Sequence, residues 1–231
     1  MSLFGHGILE ALRLLVTGDP EVWQITWLSL RISASATLLS LLVGIPAGAL
    51  LALSRFPGRG LVVSLVNTGM GLPPVVVGLF VTIVLWRNGV LGFLELLYTP
   101  TAMVTGQFVI AAPIVTGLTL AAVQQVPEAF RLQMLGLGAS RAQVVWVLLK
   151  EARLPMLAAV MAGFGGVISE VGASMMLGGN IKGSTRVLTT ATVLETGKGN
   201  FDLAIALSVI LLLITFLVNW ALSGIQQRRR V

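Results

Sequence analysis

The chain has 231 residues, of which 56% are hydrophobic and only 10% charged, and its mean hydropathy of +0.95 excludes a soluble globular protein. Its formal charge of +6 does not indicate nucleic-acid binding, because the basic residues are dispersed among loops and form no stripe with interleaved aromatic residues. The absence of cysteine excludes disulfides and thiolate metal sites, and no metal ligand is predicted. The composition predicts a protein of the lipid bilayer.

The first predicted element is a short helix over residues 3–16, which contains Glu10 and Arg13 and is too short to span a bilayer. We expect it to lie along the outer membrane interface, within an N-terminal segment of residues 1–24; a frayed tail is the alternative. Five longer apolar stretches follow, and each exceeds the roughly 20 residues that a transmembrane helix needs. They cover residues 25–53, 61–86, 101–123, 156–177 and 203–225. These lengths predict an all-α integral membrane protein with a five-helix transmembrane bundle rather than a β-barrel.

The distribution of basic residues predicts the orientation of the bundle. Lysine and arginine concentrate in the loops at one end and in the tail of residues 226–231, and this set consists of Arg55, Arg59, Arg131, Arg141, Lys150, Arg153, Arg228, Arg229 and Arg230. The positive-inside rule makes that end cytoplasmic. Five spans place the termini on opposite sides, so the N-terminus is expected outside the cell membrane.

The longest cytoplasmic connection, residues 124–155, is predicted to begin with a short helix. Pro127 followed by Glu128 is typical of a helix start, since proline suits the first turn and a carboxylate suits the positive helix end. Gly136 and Gly138 are expected to end this helix.

A second helix is predicted from about residue 141 to residue 150, with Ser140 as its N-cap. Its apolar side consists of Val144, Val145, Val147 and Leu148. Such a short amphipathic helix suits docking into a protein groove, and rest on the bilayer surface is the alternative.

Two charged residues interrupt the predicted spans. Counted at 1.5 Å per residue, Glu170 is about 21 Å above the inner end of its span and Arg31 about 9 Å below the outer end of its own, so both are near one depth. A carboxylate deep in a span is disfavoured by roughly 3 kcal/mol, and we therefore expect the two to pair. Alternatively, Glu170 bonds hydroxyls or backbone donors, or Arg31 extends to the headgroups.

The cytoplasmic connection resembles that of the permease subunits of type I ABC importers, in which a glycine followed by a helix and a later Leu-Pro docks into the ATPase subunit. Leu132-Gln133-Met134 stand where that family normally has Glu-Ala-Ala. The resemblance assigns ATPase coupling to Gly138, Ala139, Ser140, Arg141, Val144, Leu154 and Pro155.

Residues 71–79, 97–103, 170–181, 188–191 and 194–196 further resemble the tungstate branch of the molybdate and tungstate importers. The resemblance implies a permease homodimer with two cytoplasmic ABC ATPases and an external oxyanion-binding protein. It implies ATP-driven import of tungstate by alternating access, with molybdate or another tetrahedral oxyanion as the alternative. This chain is expected to bind no cofactor and to leave ATP to the ATPase, because it has no Gly-rich phosphate loop followed by Lys-Ser or Lys-Thr.

Two other functional classes fit the sequence less well. An ATPase-independent ion-coupled carrier usually has internal repeats and paired ionisable groups, whereas this chain has one glutamate in five spans and no visible repeat. A membrane enzyme is disfavoured because the spans contain no histidine, no metal-ligand cluster and no Ser-His pairing, so no catalytic residue is predicted.

A tetrahedral dianion needs fixed but weak donors, which broken helices provide. Pro73-Pro74 should break the second span roughly 18 Å from its inner end, and this break borders the transport path or is a packing kink. The threonines near residue 190 would line a gate or bond backbone carbonyls. The candidate path residues are Gly71, Pro73, Pro74, Ser174, Thr189 and Thr190. The outer loop with Asn180, Lys182 and Arg186 would receive the anion or form a flexible turn that docks the binding protein.

Overall fold

The computed structural model describes residues 3–227, and every regular element within them is helical. The eleven α-helices of these residues are α1 (Leu3–Thr17), α2 (Pro20–Leu53), α3 (Arg59–Met70), α4 (Pro74–Leu85), α5 (Pro100–Gln124), α6 (Glu128–Gly136), α7 (Arg141–Glu151), α8 (Arg153–Ile168), α9 (Gly172–Gly178), α10 (Leu188–Gly197) and α11 (Phe201–Gln227). The predicted all-α fold is therefore confirmed.

Three of these helices, α2, α5 and α11, are long and apolar enough to cross a membrane unbroken. Two further crossings are bent pairs: α3 and α4 meet at 103°, and α8 and α9 meet at 58°. Counting each pair as one span gives up to five spans in the described chain. Pro73-Pro74 predicted the first break, whereas the stretch 156–177 was expected to be continuous and is not.

The centre of the bundle is the contact between α2 and α5. Small side chains recur on α2 every four residues, and the buried ones include Ala36, Ser40, Gly44 and Gly48. A methyl group added at Gly48 would lie 2.5 Å from the carbonyl oxygen of Thr116 and 3.0 Å from the Leu120 nitrogen. The two backbones thus approach as closely as small-residue stripes allow in membrane helices.

The N-terminal helix α1 is helical over the predicted residues and packs along α11. Ala11 is fully buried, and a methyl group added at Gly7 would collide with the Ile205 side chain. The frayed-tail alternative is wrong, because this helix has an apolar side that α11 covers. The basic tail was predicted over residues 226–231, and its arginines at 228–230 lie outside the described residues.

The connections fall at two ends of the bundle. An ion pair of 3.8 Å between Arg55 and Glu128 joins the α2–α3 connection to the start of α6. We call this the basic end. At the opposite end, Lys182 pairs with Glu21 at 2.6 Å and joins the loop before α10 to the start of α2. We call this the far end.

Candidate functional site: paired helix breaks and an exposed turn

The two broken helices pack against each other beside their breaks. A methyl group added at Gly78 of α4 would lie 2.8 Å from Cα of Ala173 on α9, and one added at Gly172 would lie 2.6 Å from a methyl group of Val75. These glycines let the two helices approach closely near their N-terminal ends. The starts of α4 and α9 therefore lie side by side, although about 100 residues separate them in sequence.

The first break presents its residues on the surface of the chain. Gly71 and Pro73 are exposed and Pro74 is half-buried, and Pro73 accepts the Val76 N–H at 2.9 Å through its carbonyl. Pro73 has ψ 124°, an extended conformation in which an α-helix cannot continue. These predicted path residues are thus not covered by the rest of the chain, and their role in transport stays a prediction.

Glu170 occupies the second break and caps α9. Its Oε1 accepts the N–H of Ala173 at 2.8 Å, and its backbone carbonyl accepts the Thr189 hydroxyl at 2.9 Å. The side chain is buried, and the positive end of the following helix stabilises a carboxylate there. This was the alternative in which Glu170 bonds backbone donors.

The predicted pair of Arg31 and Glu170 is not formed. Within residues 3–227 no ion pair involves Arg31, whose side chain is exposed on α2. The depth argument assumed an unbroken helix, whereas the break turns the carboxylate back onto α9.

We expect Glu170→Ala to lower the free energy of unfolding by about 1–2 kcal/mol, because the cap of α9 is lost. Glu170→Gln should be milder, since an amide oxygen still accepts the Ala173 N–H. Thermal unfolding of the purified variants measures both effects. In a double-mutant cycle with Arg31→Gln, a coupling free energy above about 0.5 kcal/mol would restore the rejected pair.

A buried polar contact that sequence reasoning missed joins α5 to α9. Gln107 donates through Nε2 to the Ser174 hydroxyl at 3.4 Å, and both residues are almost fully buried. Ser174 was a predicted path residue, but here its hydroxyl lies inside the chain. A glutamine in the middle of an otherwise apolar part of α5 was the available signal.

The predicted gate threonines are also occupied within the chain. The Thr189 hydroxyl bonds Glu170 as described, and the Thr190 hydroxyl accepts the Val187 N–H at 3.1 Å in the first turn of α10. Both are buried. The Thr189 hydroxyl therefore joins α10 to the second break, while the Thr190 hydroxyl bonds the backbone within α10; both agree with the backbone-bonding alternative.

The outer loop at residues 178–187 is tightly bonded. Thr185 is fully buried and bonds both the Gly178 carbonyl and the Ile181 N–H. Its two cations share one carboxylate, since Arg186 lies 3.4 Å and Lys182 2.6 Å from the oxygens of Glu21. The sequence analysis did not identify Glu21 as a partner of this loop. Its negative charge neutralises part of the positive charge of Lys182 and Arg186, and this weakens the case for the loop as a receiver of the anion.

The far end also holds a cleft of about 750 Å³ that is lined by Glu21, Lys182 and Arg186 and by the α10–α11 connection. There the ammonium group of Lys198 lies 2.7 Å from Glu195, and this hydrogen bond lowers the pKa of the Glu195 carboxyl. Asn200 donates a further hydrogen bond at 3.1 Å. The lowered pKa favours the carboxylate form of Glu195, so the cleft carries charges of both signs at neutral pH.

At the basic end, α6 and α7 meet in an exposed turn. Ser140 caps α7 as predicted: its hydroxyl accepts the Gln143 N–H at 3.3 Å, and the Gln143 side chain accepts the Ser140 N–H at 2.7 Å. Gly138 has φ +84°, a conformation that favours glycine. Leu137 is 82% exposed at the tip, a feature that the resemblance did not single out.

The predicted coupling residues divide into two groups. Gly138 to Arg141 form the turn, whereas Val144 is buried on α7. Leu154 and Pro155 lie in the first turn of α8, which starts after a single residue, the buried Ala152. The turn is thus built on a helix that continues almost directly into the bundle.

The sequence is similar to those of known membrane transport proteins. The family described as "Binding-protein-dependent transport system inner membrane component" matches residues 44–231. The tungstate uptake system permease protein TupB of Peptoclostridium acidaminophilum is 38% identical over 98% of this chain and 100% of its own length. The molybdenum transport system permease protein ModB of Escherichia coli (strain K12) is 30% identical over 93% of this chain and 99% of its own.

Among solved structures, the inward facing MetNI methionine ABC transporter has a chain that superposes with a TM-score of 0.75 at 22% identity. The superposition covers 91% of this chain and 98% of that one, so the likeness extends to the whole fold. With the family match over most of the sequence, the chain belongs to the inner membrane components of binding-protein-dependent transport systems.

Proposed function

We propose that this protein is the permease subunit of an ATP-driven importer whose cargo is tungstate. The observation that carries the cargo is the full-length similarity to a tungstate uptake permease, which exceeds the similarity to the molybdenum permease by eight percentage points of identity, 38% against 30%. Two copies of the chain would form the translocation unit, with two ABC ATPases on the cytoplasmic side and a separate oxyanion-binding protein outside.

In this proposal the first helix break borders the path of the anion. Gly71 and Pro73 are exposed on the single chain, so a second copy placed against them would enclose a channel lined by broken backbone. Backbone donors at such breaks bind an anion weakly enough to release it. The side chains of Ser174, Thr189 and Thr190 would hold the helices of the chain together instead of touching the cargo.

The turn at Leu137–Ser140 is the proposed contact with the ATPase. It is exposed, its conformation is fixed by the Ser140–Gln143 capping box, and it lies at the basic end, which the positive-inside rule assigns to the cytoplasm. The permease itself hydrolyses nothing in this scheme. ATP-driven closure of the ATPases would move the turns and open the bundle toward the outside.

Uptake into vesicles tests the proposal. The permease is reconstituted with its ATPase and binding protein, and accumulation of tungstate and molybdate is measured with and without ATP. We expect ATP-dependent accumulation of tungstate and none when the phosphate-loop lysine of the ATPase is replaced. A preference for molybdate would mean that molybdate is the cargo. Flux without ATP would support the hypothesis of an ATPase-independent carrier.

A further inference from the structure

An open groove of about 1130 Å³ lies at the basic end, between the last three turns of α2 and the α6–α7 segment. One part of its wall is apolar and includes Ile45, Leu50, Leu53 and Leu132. The other part carries Arg55, Arg131 and Arg141 together with Glu128. The groove thus has an apolar and a cationic portion.

The two portions follow one another along the axis of α2. Ile45 to Leu53 belong to the apolar span α2, and Arg55 follows just after the helix ends. At 1.5 Å per residue the apolar wall extends about 12 Å into the span, close to the roughly 15 Å of one hydrocarbon leaflet. Leu50 is 67% exposed in this wall, so the chain itself leaves the apolar surface uncovered.

The cationic portion carries more positive than negative charge. Glu128 pairs only with Arg55, at 3.8 Å, and within the described residues Arg131 and Arg141 form no ion pair. Three arginines against one glutamate leave two excess positive charges. Arg55 and Arg131 also line an adjoining cavity of about 300 Å³ that contains Arg59. Arginines present several N–H donors in a planar fork, which suits a phosphate.

We propose that this groove binds one anionic phospholipid, with its phosphate at the arginines and an acyl chain along Ile45 to Leu53. A cationic site at the end of a span and an apolar wall one leaflet deep match the two halves of such a lipid. The proposal requires a chain embedded in a membrane and does not depend on the cargo or on ATP. The bound lipid would brace α6 against α2 and so stabilise the base of the exposed turn.

The test is native mass spectrometry of the purified permease after exchange into mixed micelles that contain phosphatidylglycerol or phosphatidylcholine. We expect about one retained phosphatidylglycerol per chain and little phosphatidylcholine. The double variant Arg55→Gln/Arg131→Gln should weaken retention about tenfold or more, because each arginine near an anionic lipid contributes roughly a factor of five. Arg87→Gln is the matched control: it removes an exposed arginine at the far end and should change nothing.

A second variant distinguishes lipid binding in the groove from nonspecific attraction to surface charge. Leu50→Trp fills the apolar wall without changing charge, and we expect it to reduce lipid retention as well. Equal retention of both lipids, or full retention in the double arginine variant, would overturn the proposal. So would a photoreactive residue at position 50 that crosslinks to the ATPase or to a second permease and to no lipid in the assembled complex. Because lipid retention is read on the permease alone, a failed uptake experiment would leave this result standing.

Discussion

Gly48→Leu is expected to prevent accumulation of the folded permease. The added side chain would have to enter the contact between α2 and α5, where even a methyl group would lie 2.5 Å from the Thr116 carbonyl oxygen. Both nearest polar neighbours are backbone atoms within α5, so no side-chain rotation relieves the clash. Overpacking of a well-packed core costs about 1–3 kcal/mol, and the backbone contact places this variant at or above the upper value.

The measurement is the yield of monodisperse protein in detergent together with its thermal unfolding midpoint. Gly224→Leu is the matched control, since Gly224 also lies within a long membrane helix but has no atom near an added Cβ. We expect the control to behave like the unmodified protein. Normal yield and stability for Gly48→Leu would mean that α2 and α5 are not packed as closely as described.

Leu137→Asp is expected to uncouple the permease from its ATPase while leaving the bundle intact. Leu137 is 82% exposed at the tip of the α6–α7 turn, so it supports no packing within the chain. In the proposed complex it would enter a groove of the ATPase, and burying an unpaired carboxylate there is strongly unfavourable. An anchor residue buried at a protein interface contributes about 2 kcal/mol or more, a loss of roughly 30-fold in affinity.

Co-purification of the ATPase with tagged permease measures this effect, and ATP-dependent uptake should fall with it. Val90→Asp is the control, because Val90 is 83% exposed but lies at the far end of the bundle, between α4 and α5. That variant should retain the ATPase. If Leu137→Asp also retained the ATPase, the turn would not be the docking site.

The helical bundle could be predicted from the sequence, because the length of an apolar stretch alone identifies a membrane helix. The cap of α7 was accessible for a similar reason, since Ser140 acts on residues within one turn of itself. Pro73-Pro74 likewise predicted the first break, because proline lacks a backbone N–H and interrupts the helix at its own position. These features depend on neighbours in the chain and need no knowledge of the tertiary structure.

The second break could not be predicted from the sequence, because no proline lies at it. Glu170 appeared as a buried charge in need of a distant cation, whereas its carboxylate is satisfied three residues away by the Ala173 N–H. The Gln107–Ser174 contact and the role of Glu21 also depend on elements far apart in sequence. Such pairings follow from how the helices pack, which the periodicity of one sequence does not encode.

The short joint between α7 and α8 has a mechanical consequence. Only Ala152, itself buried, separates the helix that carries the exposed turn from the helix that ends at the second break. The 16 residues of α8 make a rod about 24 Å long, so a tilt of about 10° at its base displaces its far end by roughly 4 Å. Gly172 lies just past that far end and touches Val75. A rotation of the turn that passed through this joint would therefore shift the contact between α4 and α9 by several ångströms, and the length of α8 alone would set the size of that shift.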